Sequence, residues 1–191
     1  MRKPKVFIIS GPSGAGKTTL INRLFQKKFV RDNFLKSVSF TTRKKRRGER
    51  EGRDYFFVDN RKFRDLKKEG FFLETQKVLD DFYGTPKFFL EEAERKGKDL
   101  ILCIDVKGGK YLKSKLKKDE IVTIFITAPH RKELFYRLKK REEDSQNIKK
   151  RITLAKKELQ FLKFYDYLIV NQNIGESIKE LEKILRSKIN R

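Results

Sequence analysis

The sequence predicts a three-layer α/β/α fold, in which helices cover both faces of a central parallel sheet. Two observations support this prediction. Short apolar runs rich in β-branched residues recur along the chain, and segments with apolar residues at helical spacing separate them. The chain has 191 residues, of which 37% are hydrophobic. That length suits a single α/β domain with small inserted parts.

The strands of the sheet are predicted at apolar runs without polar alternation, as expected for strands buried on both faces. These runs are residues 6–9, 100–104, 121–126 and 167–170. Helices are predicted between them at residues 18–28, 109–116, 131–141 and 148–162. From residue 174 onward, Ile178, Leu181, Ile184 and Leu185 recur at helical spacing and predict a last amphipathic helix.

Residues 37–90 break this alternation. Strand-like segments occur at residues 37–42, 54–58 and 71–78, with a short helical segment near residues 63–68. We therefore expect an inserted, mixed and mostly antiparallel lobe, with residues 1–36 and 91–191 forming the core. No linker rich in proline, glycine or serine flanks the insertion, so the lobe and core should form one unit.

A glycine-rich turn connects the first predicted strand to the first predicted helix. It reads Gly11, Pro12, Ser13, Gly14, Ala15, Gly16, Lys17, Thr18, Thr19. Its glycines let successive backbone N–H groups point at an anion, and the following helix adds its positive N-terminal end. Lys17 can reach the β and γ phosphates, and the Thr18 hydroxyl can bind Mg²⁺. An ordinary turn would need neither group, so this P-loop predicts that the chain binds a nucleotide such as ATP.

The inserted lobe carries a second set of motifs. They are SVSFTTRKKRRGE at 37–49, GRDYFFV at 52–58, FLE at 72–74 and YGT at 83–85. In order and spacing they resemble the guanylate kinase family, and the likeness covers nearly the whole chain. The resemblance implies a kinase that moves the γ-phosphoryl group of ATP to GMP with Mg²⁺. It also implies that Arg43, Arg46, Tyr55 and Tyr83 hold the GMP phosphate, while Ser39, Glu74 and Thr85 face its base.

The chemistry of guanine supports this choice of acceptor independently. Guanine presents two adjacent donors, the ring N–H and the exocyclic amine, and a carboxylate such as Glu74 can accept from both. Adenine lacks the ring N–H, so it would leave Glu74 partly unpaired. Taken singly, Glu74, the two tyrosines and the basic run at 43–47 could be ordinary surface or core residues. Their order behind a P-loop favours the functional interpretation.

Asp105 follows the apolar run 100–104, where a strand would emerge beside the P-loop. A carboxylate there can orient Mg²⁺ or its waters, and the resemblance also places Asp105 near GMP. The family often has another acidic residue two positions earlier, where this chain has Cys103. Cys103 is the only cysteine, so no intrachain disulfide is possible, and we expect a buried, inert thiol.

Three arginines lie at places that, by the resemblance to this family, belong to a helical lid at about residues 137–151. Arg137 and Arg141 lie four apart and share a helix face, and Arg151 lies on the following helix. The resemblance implies that they close over the transferring phosphoryl group, where arginines stabilise negative charge. An exposed basic helix is the alternative. Glu142 stands where the family commonly has glycine. Asn171 matches a family asparagine near the adenine of ATP, or else it caps a strand end.

The net charge of +23 raises the question of a nucleic-acid or anionic membrane partner. The basic residues are spread along the chain, and no recognition helix or RNA-binding signature accompanies them, so we expect no specific nucleic acid. No apolar leader or membrane-length apolar stretch is present, and we expect a soluble, cytoplasmic protein. Two other functions stay open: a kinase with another acceptor, and an interaction module that binds phosphorylated or acidic peptides. Such modules tend to have degraded P-loops.

Overall fold

The structure is a computed structural model that describes residues 3–139 and 145–189. Strands and helices alternate along most of it. In chain order its elements are β1 (Val6–Ser10), α1 (Lys17–Leu24), α2 (Lys28–Asn33), β2 (Phe34–Lys36), β3 (Phe40–Thr41), β4 (Phe56–Phe57), α3 (Asn60–Lys68), β5 (Phe72–Val78), β6 (Asp81–Pro86), α4 (Phe88–Arg95), β7 (Asp99–Cys103), α5 (Val106–Lys115), β8 (Ile121–Thr127), α6 (Arg131–Lys139), α7 (Ser145–Leu159), a 3₁₀ turn (Leu162–Phe164), β9 (Tyr167–Val170) and α8 (Ile174–Lys188).

The central sheet is parallel, as predicted. Within the described residues its strand order is β2, β7, β1, β8, β9, and every neighbouring pair runs parallel. The four predicted strands are all present. Strand β2 was not predicted, because its three residues are too short a run to show a pattern. The order reverses at β1, so β1 lies at the centre of the sheet, and the loop that follows it lies at the switch point where α/β proteins bind ligands.

Strands β1, β7 and β8 are buried on both faces, which explains their lack of alternation, whereas the edge strand β9 exposes Leu168 and Val170 on one face. On β1, Phe7 and Ile9 pack into one apolar cluster with residues of α1 and α8. Val6 and Ile8 point to the opposite face and pack with residues of β7, α4 and α5. The central strand is therefore fixed from both sides, and the turn that follows it starts from a rigid position.

The helices differ from their predicted bounds mainly at the ends. Helix α1 ends at Leu24, and a separate short helix, α2, begins at Lys28. Helix α5 begins at Val106, three residues earlier than predicted, because the side chain of Asp105 accepts a hydrogen bond from the Lys107 N–H and caps it. The predicted last helix is present as α8. Among the described helices, none combines the length and apolar character needed to cross a bilayer.

A second sheet lies between β2 and α4 in the chain. In the described residues its order is β4, β3, β6, β5, with β3 and β4 parallel and the other pairs antiparallel. This agrees with the mixed, mostly antiparallel sheet that the sequence predicts. Its own core centres on Phe63, whose ring stacks on Phe72 and Phe82 at 4.9 and 5.6 Å between centroids. Strand β6, missed from the sequence, carries Tyr83 and Thr85.

Candidate active site

A cleft of about 770 Å³ lies between the two sheets, above the end of β1. The P-loop forms one wall, and the loop after β3 together with β5 and β6 forms the other. The cleft brings together most of the predicted site residues. Those that line it are Gly11, Ser13, Gly14, Gly16, Lys17, Thr18, Thr19, Ser39, Arg43, Arg46, Tyr55, Glu74, Tyr83, Asp105 and Arg151.

The P-loop curls tightly after β1. Gly11 has a φ of 143°, and a Cβ atom there would lie 1.9 Å from the carbonyl oxygen of Ile126, so only glycine fits. Helix α1 begins at Lys17, and its positive end therefore points into the cleft. The Lys17 Nζ donates to the carbonyl oxygens of Gly11 and Pro12 at 2.6 and 3.0 Å. The ammonium thus lies over the loop, where a bound phosphate would meet it.

Glu74 lies on β5 and is 5% exposed. Its Oε1 accepts a hydrogen bond of 2.7 Å from the Thr85 hydroxyl on the neighbouring strand β6. Its buried Oε2 has no hydrogen-bond partner among the described residues. Burial raises the pKa of Glu74 to about 7, against the opposing effect of the Thr85 hydroxyl. An acceptor without a donor in a buried position is costly, which suits a ligand that brings donors.

Arg43 and two tyrosines form a polar group farther along the same wall. The Tyr55 and Tyr83 rings lie 5.9 Å apart, and the Arg43 guanidinium carbon lies 5.4 Å from the centre of the Tyr55 ring. Arg43 is 9% exposed. Burial raises the pKa of the Tyr55 phenol, so the hydroxyl stays protonated and able to donate. One guanidinium and two phenols present the donors that a phosphate monoester requires.

Oxygen ligands suited to Mg²⁺ are available beside the P-loop. The Thr18 side chain is exposed at the start of α1, and Asp105 lines the cleft at the end of β7. One oxygen of the Asp105 carboxylate accepts the Lys107 N–H and caps α5. Among the described residues, no group of three or more histidine, cysteine or acidic side chains could hold a metal ion alone. Mg²⁺ in such sites relies instead on one or two protein oxygens, substrate phosphates and water.

The predicted lid arginines are not all in one place. Arg151 lines the cleft. Arg137 lies beside the P-loop, with its Nη1 4.0 Å from the position of a Cβ atom at Gly16. Its Nε donates to Glu133 at 2.9 Å, and its Nη2 donates to the Asn171 carbonyl oxygen at 3.3 Å. Arg141 and Glu142 lie outside the described residues. Asn171 is buried, and its side-chain amide donates to the Ala15 carbonyl oxygen at 2.8 Å. In this structure, the Asn171 side chain therefore stabilises the P-loop through a hydrogen bond to its backbone.

Two carboxylates that sequence reasoning missed also reach the site. Glu158 on α7 is 5% exposed, and its Oε2 accepts a hydrogen bond of 3.4 Å from the Ser13 N–H of the P-loop. Burial raises the pKa of Glu158 to about 7, although nearby Lys17 lowers it. Glu49 in the loop after β3 binds Arg43. A signal for Glu158 exists in the sequence, because it lies three residues after Ala155 on the buried face of the helix.

Cys103 lies at the end of β7 and lines the cleft. It is half-buried, and burial raises the pKa of its thiol above the ordinary value. The raised pKa makes the thiol a weaker nucleophile than an ordinary cysteine. The sequence predicts a buried thiol, whereas the structure places it at the cleft wall, half-buried. In the sheet register Cys103 pairs with Ile9, which lies two residues before Gly11, the first residue of the P-loop.

Comparisons with known proteins point to one family. The family model described as guanylate kinase matches residues 3–188. The guanylate kinase of Wolbachia pipientis wMel is 41% identical over 184 residues, which span 96% of this chain and 90% of that protein. The guanylate kinase of Clostridioides difficile strain 630 is 39% identical over 192 residues, 100% of this chain and 91% of that protein.

Among solved structures, the crystal structure of guanylate kinase from Anaplasma phagocytophilum superposes with a TM-score of 0.80. It is 34% identical in sequence and covers 98% of this chain and 87% of that chain. The likeness therefore extends over both sheets and is not confined to the P-loop.

Proposed function

The chain belongs to the guanylate kinase family, and from this premise we propose how its cleft carries out the family's reaction. The enzyme is a nucleoside monophosphate kinase that transfers the γ-phosphoryl group of ATP to GMP, giving ADP and GDP. The observation that carries the residue assignments is the presence of an intact P-loop and a buried, partly unpartnered carboxylate in one cleft.

The donor nucleotide binds at the P-loop. The backbone N–H groups of residues 11–19 surround its phosphates. The Lys17 ammonium breaks its hydrogen bonds to the Gly11 and Pro12 carbonyl oxygens and neutralises the β and γ phosphates instead. Asn171 stabilises the P-loop that holds ATP, because its side-chain amide donates to the Ala15 carbonyl oxygen. By the resemblance to the family, Asn171 also lies near the adenine of ATP.

The acceptor base binds at Glu74. Both carboxylate oxygens face the two donors of guanine, Thr85 orients Oε1, and the Ser39 hydroxyl donates to the guanine carbonyl oxygen. Guanine binding requires the ionised form of Glu74, because a protonated carboxyl would present a donor to a donor. In the free enzyme the buried Oε2 lacks a hydrogen bond, which costs free energy, and the donors of guanine supply that hydrogen bond when the base binds.

The acceptor phosphate binds at Arg43, Arg46, Tyr55 and Tyr83. Arg43 and Arg46 supply charge, and the phenols supply directed donors, so that the phosphate oxygen points toward the P-loop. Phosphoryl transfer between phosphates needs this positioning and charge neutralisation more than it needs a strong base. We therefore assign no catalytic role to His130, the single histidine in the sequence.

Mg²⁺ fits the oxygen ligands of the cleft, and Thr18 and Asp105 are the residues that would hold it. When bound, it neutralises the charge of the phosphates and orients them. Arg137, Arg141 and Arg151 are proposed to stabilise the transferring group when the lid at about residues 137–151 closes. An arginine placed in this way is worth about 10³ to 10⁵ in rate in related phosphoryl transfer reactions.

The inserted lobe, residues 37–90, and the lid are proposed to close together on the substrates. Closure would exclude water, which otherwise hydrolyses ATP. We place the enzyme in the cytoplasm with ATP and GMP as its partners, and we expect no specific nucleic-acid partner despite the net charge of +23.

The test measures ADP release from ATP and Mg²⁺ with GMP, AMP, CMP or UMP as acceptor. We expect turnover with GMP that exceeds turnover with AMP by at least about 10⁴ in kcat/KM, because AMP leaves Glu74 unpaired. Efficient turnover of another monophosphate would overturn the assignment of Glu74 and Ser39 and retain the P-loop argument. Lys17→Ala should abolish transfer with an unchanged circular dichroism spectrum. Substantial remaining activity would contradict the role of Lys17.

A further inference from the structure

A single carboxylate lies inside the most basic segment of the cleft wall. Residues 43–50 contain six arginines and lysines, and Glu49 is the only acidic residue among them. Both oxygens of Glu49 accept from the Arg43 Nη2, at 2.7 and 3.0 Å. Its Oε2 also accepts from the Arg46 N–H at 2.8 Å. Glu49 thus contacts both arginines to which the acceptor phosphate is assigned.

We propose that Glu49 is a positioning residue for acceptor binding, which fixes the Arg43 side chain and the backbone at Arg46 in the arrangement that receives the GMP phosphate. The inference rests on the proposed function, since it takes Arg43 and Arg46 as the phosphate-binding residues. Glu49 itself has no contact with the substrate in this proposal.

The geometry favours positioning over competition for the same donors. Arg43 makes two hydrogen bonds to Glu49 and one of 2.7 Å from Nη1 to the Lys44 carbonyl oxygen. A guanidinium has five N–H donors, so these three bonds leave two for a phosphate. The guanidinium carbon also lies 5.4 and 5.9 Å from the ring centres of Tyr55 and Phe57. Arg43 is therefore held from several sides while part of its donor set stays available.

The backbone around Arg43 is fixed in the same way. The Thr41 hydroxyl accepts from the Arg43 N–H at 3.2 Å, and the Thr42 hydroxyl accepts from the Phe82 N–H at 2.9 Å. These bonds tie the loop to β3 and β6 at its start. Glu49 ties the far end of the basic run, through Arg46, back to Arg43. Without Glu49, the six positive charges of residues 43–50 would lose the carboxylate that pairs with Arg43, and their mutual repulsion would increase.

Electrostatics support this arrangement. Burial raises the pKa of Glu49, but the hydrogen bonds from Arg43 and the Arg46 N–H outweigh it, so the net pKa is lowered and the carboxylate is ionised at neutral pH. The pair is half-buried to buried, with side-chain exposures of 10% for Arg43 and 19% for Glu49. Because both carboxylate oxygens accept from the same Nη2, the pair fixes that end of the Arg43 guanidinium through charge-assisted hydrogen bonds.

The test compares Glu49→Ala and Glu49→Gln with Glu51→Gln as the matched control. Glu51 is exposed and lies two residues away in the same loop; among the described residues, its side chain accepts a hydrogen bond from the Phe57 N–H alone, at 3.2 and 3.3 Å. Its replacement by glutamine makes the same change in net charge without touching either arginine. Steady-state kinetics give KM for GMP, KM for ATP and kcat, and thermal melting reports the folded fraction.

We expect Glu49→Ala to raise KM for GMP at least about tenfold with KM for ATP within about twofold, and Glu49→Gln to recover part of the loss. Glu51→Gln should match the wild type. Unchanged KM for GMP in Glu49→Ala would overturn the inference. A lower KM would also overturn it, because it would mean that Glu49 competes with the phosphate.

A further variant, Arg43→Ala, separates this inference from the function on which it rests. If Arg43→Ala raises KM for GMP strongly and Glu49→Ala has no effect, the positioning role of Glu49 is wrong but the phosphate site stands. If Arg43→Ala has no effect on KM for GMP, the assignment of the phosphate site is itself wrong. If Glu49→Ala melts below the assay temperature, Glu49→Gln, which keeps the size and one acceptor oxygen, decides the question at a lower temperature.

Discussion

Replacing Glu74 by glutamine tests the acceptor site most directly. Glutamine keeps the shape of the side chain but exchanges one acceptor oxygen for an NH₂ group, which would face a donor of guanine. Hydrogen bonds to charged groups contribute about 1.5 to 3 kcal/mol each, and a buried mismatch adds to the loss. We therefore expect kcat/KM for GMP to fall by more than about 100-fold in Glu74→Gln, with KM for ATP unchanged.

The pH dependence gives a second, independent readout of the same residue. Because burial raises the pKa of Glu74 to about 7, the ionised form that binds guanine accumulates only as the pH approaches that value. In the wild type, kcat/KM for GMP should rise with pH up to about 7 and then level off. The GMP phosphate titrates near pH 6 in both proteins, so Glu74→Gln, measured in parallel, removes that contribution.

The free energy of unfolding of the free enzyme should also depend on pH through Glu74, in a direction that the raised pKa determines. The folded-state pKa of Glu74 lies above its ordinary value of 4.5, so its contribution to the free energy of unfolding is fully present below pH 4.5 and is lost as the pH rises through about 7. The shift corresponds to about 3 kcal/mol. Chemical denaturation of wild type and Glu74→Gln at about pH 4.5 and 8.5 measures it. A difference between the two proteins that does not change with pH would refute this reasoning.

Three further predictions concern the surroundings of the cleft. Gly108→Ala places a Cβ atom 2.6 Å from the Glu74 Oε2, so kcat/KM for GMP should fall at least about tenfold while KM for ATP holds; equal kinetics would mean that Glu74 can move aside. Asn171→Ala removes the 2.8 Å hydrogen bond to Ala15, and KM for ATP should rise about five- to tenfold, with KM for GMP as the internal control. Cys103 should resist iodoacetamide at neutral pH, because burial raises the pKa of its thiol, and should react once the protein is denatured; rapid labelling of the folded enzyme, followed by mass spectrometry, would contradict this.

The sequence predicted those features whose cause is local. The P-loop is one: each glycine and the Lys17 ammonium has a chemical task at a fixed spacing, and the apolar strand before it can be recognised alone. The central strands are another, because burial on both faces leaves an uninterrupted apolar run. Strand β2 is too short for such a pattern. Strand β6 has no alternation, since Gly84 and Thr85 are buried next to each other.

The parts of the site that the sequence did not predict depend on contacts made by folding. Glu158 reaches Ser13 across 145 positions of the chain, and nothing near either residue indicates the partner. Glu49 lies only six positions from Arg43, but a loop has no period from which the direction of a side chain could be inferred. The same limit applies to Arg137. Its helical spacing with Arg141 is visible, whereas its contact with the Asn171 carbonyl oxygen depends on how α6 packs against the end of β9.

In the proposed binding mode, ATP binds to the central sheet and GMP binds to the second sheet, so the contact between the sheets sets the distance between the two substrates. The P-loop is anchored to the central sheet, while Glu74, Tyr83 and Arg43 belong to the second sheet and its loop. In-line transfer requires the reacting atoms to approach to about 3 to 3.5 Å, so the relative position of the sheets enters directly into the rate. A Cβ atom at Gly108, near the start of α5, would lie 2.6 Å from the Glu74 Oε2, so glycine at this position lets β5 pack closely against α5. We expect a larger residue there to shift the base site relative to the P-loop. In the proposed binding mode, guanine selectivity and the rate of transfer therefore depend on the same close contact.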